Sequence, residues 1–203
     1  RMDYAQMLKT HVDSGADVTI AAKPVHRHEA AGLGIMRMDD TGRINGFVEK
    51  PTADDQLDQV AMDPAWIDSL GIPSQGRECL ASMGIYLFST KVLTDALLRS
   101  PGSDFGREIL PQAIAERHVQ MHPFDGYWED IGTIRAFYEA NLSLVRADAP
   151  FQLGSADAPL YSRPRFLPPT RVDDAQIRDS LIADGCVIHS GAKIENSIIG
   201  LRC

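Results

Sequence analysis

The sequence predicts an α/β layered domain followed by the opening coils of a parallel β-helix. Strand-like and helix-like segments alternate from residue 1 to 148. A stretch rich in proline, glycine and serine, APFQLGSADAPLYSRPRFLPP, then carries no helical period and reads as a linker over 149–171. From 172 to 203 Ile182, Ile188, Ile194 and Gly200 recur every six residues with small or polar residues between them. A period of six belongs to neither a helix nor a flat sheet, but it suits coils in which one aliphatic residue per hexad points into a shared interior. On spacing alone, a short irregular β meander is the alternative.

The elements follow in order. Asp3 to Ser14 sets Tyr4, Met7, Leu8, His11 and Val12 at helical spacing and ends at Gly15, a residue suited to a left-handed cap. Asp17 to Ala22 is β-branched and should stop at Pro24. GLGIMRMDDTGRINGFVEKP predicts a hairpin turning at Asp39-Asp40-Thr41-Gly42 and ending at Pro51. Residues 52–70 look helical and acidic, and Leu80 to Phe88 reads as a buried strand. Helices are expected at Thr90 to Arg99, capped by Thr90, and at Asp104 to Arg117, kinked or interrupted by Pro111. A strand from Val119 to Phe124 leads through DGYWEDIG to a helix from Thr133 to Arg146.

The composition sets limits on partners. The 203 residues are 44% hydrophobic and 24% charged, enough to bury a real core, and the net charge is -8. An acidic chain is a poor default partner for nucleic acid or an anionic membrane, so an anionic ligand must meet a local basic cluster. The acidity is uneven: residues 1–149 hold 14 basic and 22 acidic side chains, and 150–203 hold six of each. No apolar run is long enough to span a bilayer and the first residues lack a signal-like stretch, so the chain reads as cytoplasmic, or plastidial in a plant. Cys79, Cys186 and Cys203 have neither CxxC nor metal-ligand spacing and read as reduced thiols.

Several residues could carry chemistry, each beside a blander reading. Glu49-Lys50 closes a strand, where an ammonium could hold a phosphate and a carboxylate could accept sugar hydroxyl protons. A solvated ion pair is the alternative. Gly34 permits close backbone approach or marks a bulge, and Ser82 either contacts a ligand or bonds the backbone. Asp130 sits on a glycine-containing turn before a helix, beside Trp128, and could bind Mg²⁺ together with substrate phosphates. Alternatively Asp130 or Thr133 simply caps that helix. Arg163, Arg165 and Arg171 flank Phe166-Leu167-Pro168-Pro169 and could form an anion site or a solvated surface.

MDYAQMLKTHVDSGADVTIAA, GLGIMRMD, FVEKP, LASMGIYLF, SDFGREILP, GYWEDIGT with FYEANL, and PRFLPP together resemble the ADP-glucose pyrophosphorylase (glucose-1-phosphate adenylyltransferase) family over essentially the whole chain. FVEKP and W-x-D-x-G-T recur across sugar nucleotidyltransferases. The longer stretches look more like the cyanobacterial and plant members than the enteric ones.

The resemblance implies a Rossmann-like nucleotidyltransferase domain, followed by a left-handed β-helix, in a homotetramer. It implies synthesis of ADP-glucose and pyrophosphate from ATP and glucose 1-phosphate with Mg²⁺, under control of a phosphorylated effector. Position by position, Gly34, Glu49, Lys50 and Ser82 match glucose-1-phosphate contacts. Asp130 matches a metal aspartate, and Arg165 and Arg171 match basic positions of an anion-binding regulatory stretch that Arg163 adjoins. The family's N-terminal glycine-rich loop and Gly-Asp-His segment have no counterpart in these residues, so the chain by itself is expected to be inactive. Transfer of another nucleotide, or a non-catalytic subunit of the same fold, are the alternative functions.

Overall fold

The structure, a computed structural model, describes residues 2–99, 104–154, 161 and 163–203. Residues 155–160 and 162 of the expected linker, and Ser103 of the SDFG stretch, lie outside the described residues. The chain separates into two units, Arg1–Gly126 and Tyr127–Cys203. No helix among the described residues is long and apolar enough to cross a membrane.

The first unit begins with α1 (Tyr4–Ser14), capped by the Asp3 carboxylate accepting from Ala5 N at 2.9 Å. Gly15 ends it at φ 62°, a left-handed turn that costs glycine nothing sterically. The strands β1 (Val18–Val25), β2 (Gly34–Met38), β3 (Ile44–Glu49), β4 (Cys79–Phe88) and β5 (Val119–Pro123) form one sheet in the order β3-β2-β4-β1-β5. Only β1 and β5 pair in parallel. The β2–β3 turn forms as expected: Asp39 accepts from the amides of Thr41 and Arg43 and from the Thr41 hydroxyl at 2.6 Å. That hydroxyl bond holds the Asp39 carboxyl below its usual pKa.

Helices cover both faces of the sheet. Val18, Ile20, Ala22, Met36 and Leu80 pack on one side with Ile67 of α3 (Pro64–Ser69), Val92 of α4 (Thr90–Arg99), and Leu110 and Ala113 of α5 (Leu110–Glu116). On the other side Ile35, Cys79 and Ala81 meet Ala30 and Leu57, the latter from α2 (Asp54–Asp58). Burying each large aliphatic side chain stabilises by about 1.5–3 kcal/mol. On this second side α1 lies against β1 and β5, held by Thr10 Oγ1 to His122 Nδ1 at 2.9 Å and His11 Nδ1 to Thr19 Oγ1 at 2.8 Å.

Three local expectations are corrected. Pro24 does not stop β1, because its carbonyl accepts from Arg77; the nitrogen on the same side therefore faces away from the β4 ladder, and no ladder donor is lost. Residues 52–70 form two short helices, since Asp63 caps α3 and Pro64 opens it. Thr90 is the first residue of α4, following Ser89, whose carbonyl accepts from Leu93. The helix expected from Asp104 is interrupted near Pro111 as anticipated: a π turn, Phe105–Ile109, gives way to α5 at Leu110, and Pro111 stands in its first turn, where its missing N–H costs nothing.

Among its described residues the second unit contains α6 (Ile134–Ser143) and six short strands: β6 (Arg171–Val172), β7 (Gln176–Arg178), β8 (Leu181–Ile182), β9 (Val187–Ile188), β10 (Lys193–Glu195) and β11 (Ile198–Ile199). Each pairs in parallel with the strand one coil away: β7 with β10, β8 with β11, β6 with β9. Corners fall at Asp174, Asp179, Gly185, Gly191, Asn196 and Arg202, all at positive φ. One aliphatic residue lies three positions after each of the first five corners: Ile177, Ile182, Ile188, Ile194 and Ile199. One coil side in three has five residues where the other two have six, so Ile199 stacks on Ile182 and the expected fourth member, Gly200, lies exposed outside the row. Tyr138 of α6 donates to Asn196 O at 2.6 Å, so α6 is tied to the coils.

Candidate functional site

The site is built by strand register. Gly34 pairs with Glu49, and the β2–β4 register of Ile35 with Ala81 places Gly34 opposite Ser82 on the next step. Ala22 in turn pairs with Ser82. Ala22, Ser82, Gly34 and Glu49 therefore form one row across four strands, with side chains on one face. The first three are small and buried, and the row ends at a carboxylate.

Gly34 is required here for space. A Cβ at this position would stand 2.8 Å from Glu49 Oε2 and 2.7 Å from the Phe47 ring. Gly106 bounds the same carboxylate from the start of the π turn, where a Cβ would lie 3.0 Å from Glu49 Oε2. Glu49 is thus wedged between two residues without side chains. It is 24% exposed, accepts no hydrogen bond among the described residues, and has one loose ion pair, 3.9 Å to Lys50 Nζ. A half-desolvated carboxylate without donors is costly unless a ligand supplies them.

Lys50 leaves the ladder at φ 50°, with its N–H taken by Leu33 O at 2.9 Å. This left-handed conformation costs a residue with a Cβ about 1–2 kcal/mol. It turns the lysine out of the strand, and the side chain is 57% exposed. Both Glu49 and Lys50 are therefore placed by the end of β3, the carboxylate inward and the ammonium outward.

Ser82 is buried and its Oγ accepts from Gly84 N at 3.3 Å. Burial raises the Tyr86 phenol above its usual pKa; a hydrogen bond with Ser82 opposes this, and the charges of Glu49 and Asp104 add to it. The Tyr86 ring stacks on Phe105 at 6.1 Å. Asp104 caps the π turn by accepting from Arg107 N, and its carboxylate also borders Gly106. Tyr86, Asp104, Phe105 and Gly106 thus join the site without having been candidates from spacing or motif; the available signal was an Asp-Phe-Gly triplet opening an apolar helix. The set of two carboxylates, two hydroxyls and one ammonium suits a ligand carrying several hydroxyls and one anionic group.

Of the remaining candidates, Asp130 belongs to the second unit. Thr133 takes the cap of α6, its Oγ1 accepting from Ala136 N at 3.1 Å. Asp130 is therefore not the cap; it is exposed, with no hydrogen bond or ion pair among the described residues. No group of three or more His, Cys, Asp or Glu side chains is gathered for a metal among those residues. Asp130 can supply one carboxylate, which fits Mg²⁺ sites completed by substrate phosphates and water. Arg163 and Arg165 line a cleft of about 510 Å³ together with Leu167, Leu201 and Arg202. Arg171 is not part of that lining; it lies exposed in β6.

Residues 1–146 match the family model described as nucleotidyl transferase. Residues 165–203 match the GLGC left-handed parallel beta-helix domain. The first match runs past the division at Gly126 and includes α6, which the fold groups with the coils.

Proposed function

The chain belongs to the nucleotidyl transferase family, and from that premise we propose that it is part of an enzyme joining ATP and α-D-glucose 1-phosphate into ADP-glucose and pyrophosphate. The observation that carries the sugar-phosphate half is the Glu49 carboxylate, held between Gly34 and Gly106 with no hydrogen-bond donor among the described residues and set beside the exposed Lys50 ammonium. Glu49 accepts protons from sugar hydroxyls, with the Ser82 and Tyr86 hydroxyls as further partners. Lys50 holds the phosphate.

In the proposed reaction a phosphate oxygen of the sugar phosphate bonds to the α-phosphorus of ATP as the bond to the departing pyrophosphate breaks. No protein nucleophile is needed, and catalysis is positioning and charge neutralisation. Magnesium, when bound, supplies part of that neutralisation, with Asp130 as one ligand. The Arg163 and Arg165 cleft takes a phosphorylated effector, and the coils assemble the protein as a homotetramer.

The test is pyrophosphate release, measured with glucose 1-phosphate and each of ATP, UTP, GTP and dTTP, on the protein as its gene encodes it. Release with ATP alone supports the proposal. Release with another nucleotide instead identifies a sibling transferase, and no release with any of them identifies a non-catalytic member of the fold.

A further inference from the structure

The chain leaves the first unit just after β5. The last sheet hydrogen bond runs from Phe124 N to Ala22 O at 2.8 Å. Asp125 is the next residue, and at Gly126 a Cβ would lie 2.4 Å from the Phe124 ring, so the backbone turns there in a space only glycine fits. Five residues after Asp125 comes Asp130.

Arg77 meets the chain at this point. Its Nη1 and Nη2 donate to the two Asp125 carboxylate oxygens, the second at 3.0 Å. Nε donates to Ser74 O at 2.9 Å, Nη1 to Pro24 O at 3.4 Å and Nη2 to Pro73 O. A guanidinium has five N–H donors, and here each has its own acceptor. The side chain is 13% exposed. The loop it grips is itself fixed, because Ser74 bonds Asp68 of α3 through its amide at 2.7 Å and its hydroxyl at 3.1 Å.

A saturated guanidinium has no donor left for a phosphate, so Arg77 is not a ligand-binding arginine. Its fork instead joins three pieces of chain, the end of β1, the 73–77 loop and the exit from β5. We infer that Arg77 is a positioning residue: by clamping Asp125 it fixes the point from which the segment bearing Asp130 departs. The bearing on catalysis rests on the role proposed above for Asp130. The clamp itself rests only on this hydrogen-bond set. Lysine cannot replace it, having three donors on a point charge and no planar fork.

The test is hydrogen–deuterium exchange on the 203-residue chain and its Arg77→Lys and Asp125→Asn variants, with titration of α-D-glucose 1-phosphate followed by NMR on the same samples. Both substitutions should speed exchange of the Ser74, Arg77 and Phe124 amides, which bond Asp68 Oδ1, Ser74 O and Ala22 O, about tenfold or more and leave those of β4 and α5 unchanged. Sugar-phosphate binding should stay as in the parent. Unchanged exchange of those three amides, or equal acceleration across the whole sheet, overturns the clamp. If Asp125→Asn unfolds the chain, Arg77→Lys decides: faster exchange confined to those amides supports the clamp, and unchanged exchange rejects it. A parent chain that shows the exchange pattern but binds no glucose 1-phosphate keeps the clamp and removes the functional reading. In the active protein the same variants should lower kcat without changing the KM for glucose 1-phosphate.

Discussion

Glu49 Oε2 occupies the space that a side chain on Gly34 would need, 2.8 Å from the ideal Cβ position across the β2–β3 ladder. Gly34→Ala must therefore displace the Glu49 carboxylate, and the Phe47 ring with it. Overpacking of this kind costs about 1–3 kcal/mol. The variant should lose that much stability in urea denaturation and lose glucose 1-phosphate binding as well. Gly106→Ala, with its nearest atom at 3.0 Å on the same carboxylate, should show the smaller effect on both. Equal stability in Gly34→Ala and the parent would mean that the carboxylate has room to move aside.

Lys50 and Asp130 should separate kinetically in the active protein. Lys50→Ala removes a ground-state contact to the phosphate, so the KM for glucose 1-phosphate should rise about tenfold or more while that for ATP changes little. Asp130→Ala should mainly lower kcat, by about a hundredfold. Thr133 already caps α6, so a fully active Asp130→Ala would leave that carboxylate without an assigned role.

His122 makes stability depend on pH. Burial lowers its pKa, with partial opposition from the Asp3 charge. Above the ordinary histidine value of 6.5 the ring is neutral in folded and unfolded chains, and this contribution to stability is fully present. As the pH falls through that value the unfolded chain takes up a proton that the folded chain refuses, so stability is lost down through the lower folded pKa. Urea midpoints at about pH 7.5 and pH 5.5 should fall toward acid, and His122→Gln should reduce that fall. An equal fall in the variant would assign the effect to other groups.

The coil corners should respond to their backbone. Gly185 sits at φ 80° with Arg202 Cγ 3.3 Å from a Cβ built on it, so Gly185→Ala should destabilise the second unit by about 1–2 kcal/mol. Asp179 has φ 47°, and Asp179→Gly relieves strain there, so the two substitutions should differ in sign or by more than 1 kcal/mol in thermal melts. Ile188, 7% exposed, should cost about 2–5 kcal/mol when truncated to alanine.

Local signals in the sequence were reliable wherever one segment decided its own structure. Asp3 and Gly15 delimit α1, Asp39 to Gly42 make the β2–β3 turn, and the aliphatic run from Leu80 lies in the central strand β4. Expectations failed where a partner far along the chain decides. Pro24 stays in β1 because Arg77, 53 residues away, takes its carbonyl. The strict period of six broke because one coil side in three has five residues, a property of stacked corners that the spacing of two or three isoleucines cannot show. Glu49, Lys50, Gly34 and Ser82 could be named individually, but their row depends on strand register. Tyr86 and Asp104 went unnamed because a tyrosine in an apolar strand and an aspartate at a helix start both have ordinary structural uses.

The most direct test of the Gly34, Glu49, Lys50 and Ser82 group as a sugar-phosphate site is NMR titration of the 203-residue chain with α-D-glucose 1-phosphate, with glucose and inorganic phosphate as separate controls. The account predicts saturable shifts at Gly34, Glu49, Lys50 and Ser82 with the sugar phosphate, lost in Glu49→Ala and Lys50→Ala and retained in Arg165→Ala. Shifts confined to Arg163, Arg165 and Arg202, or shifts indifferent to Glu49→Ala and Lys50→Ala, would contradict it.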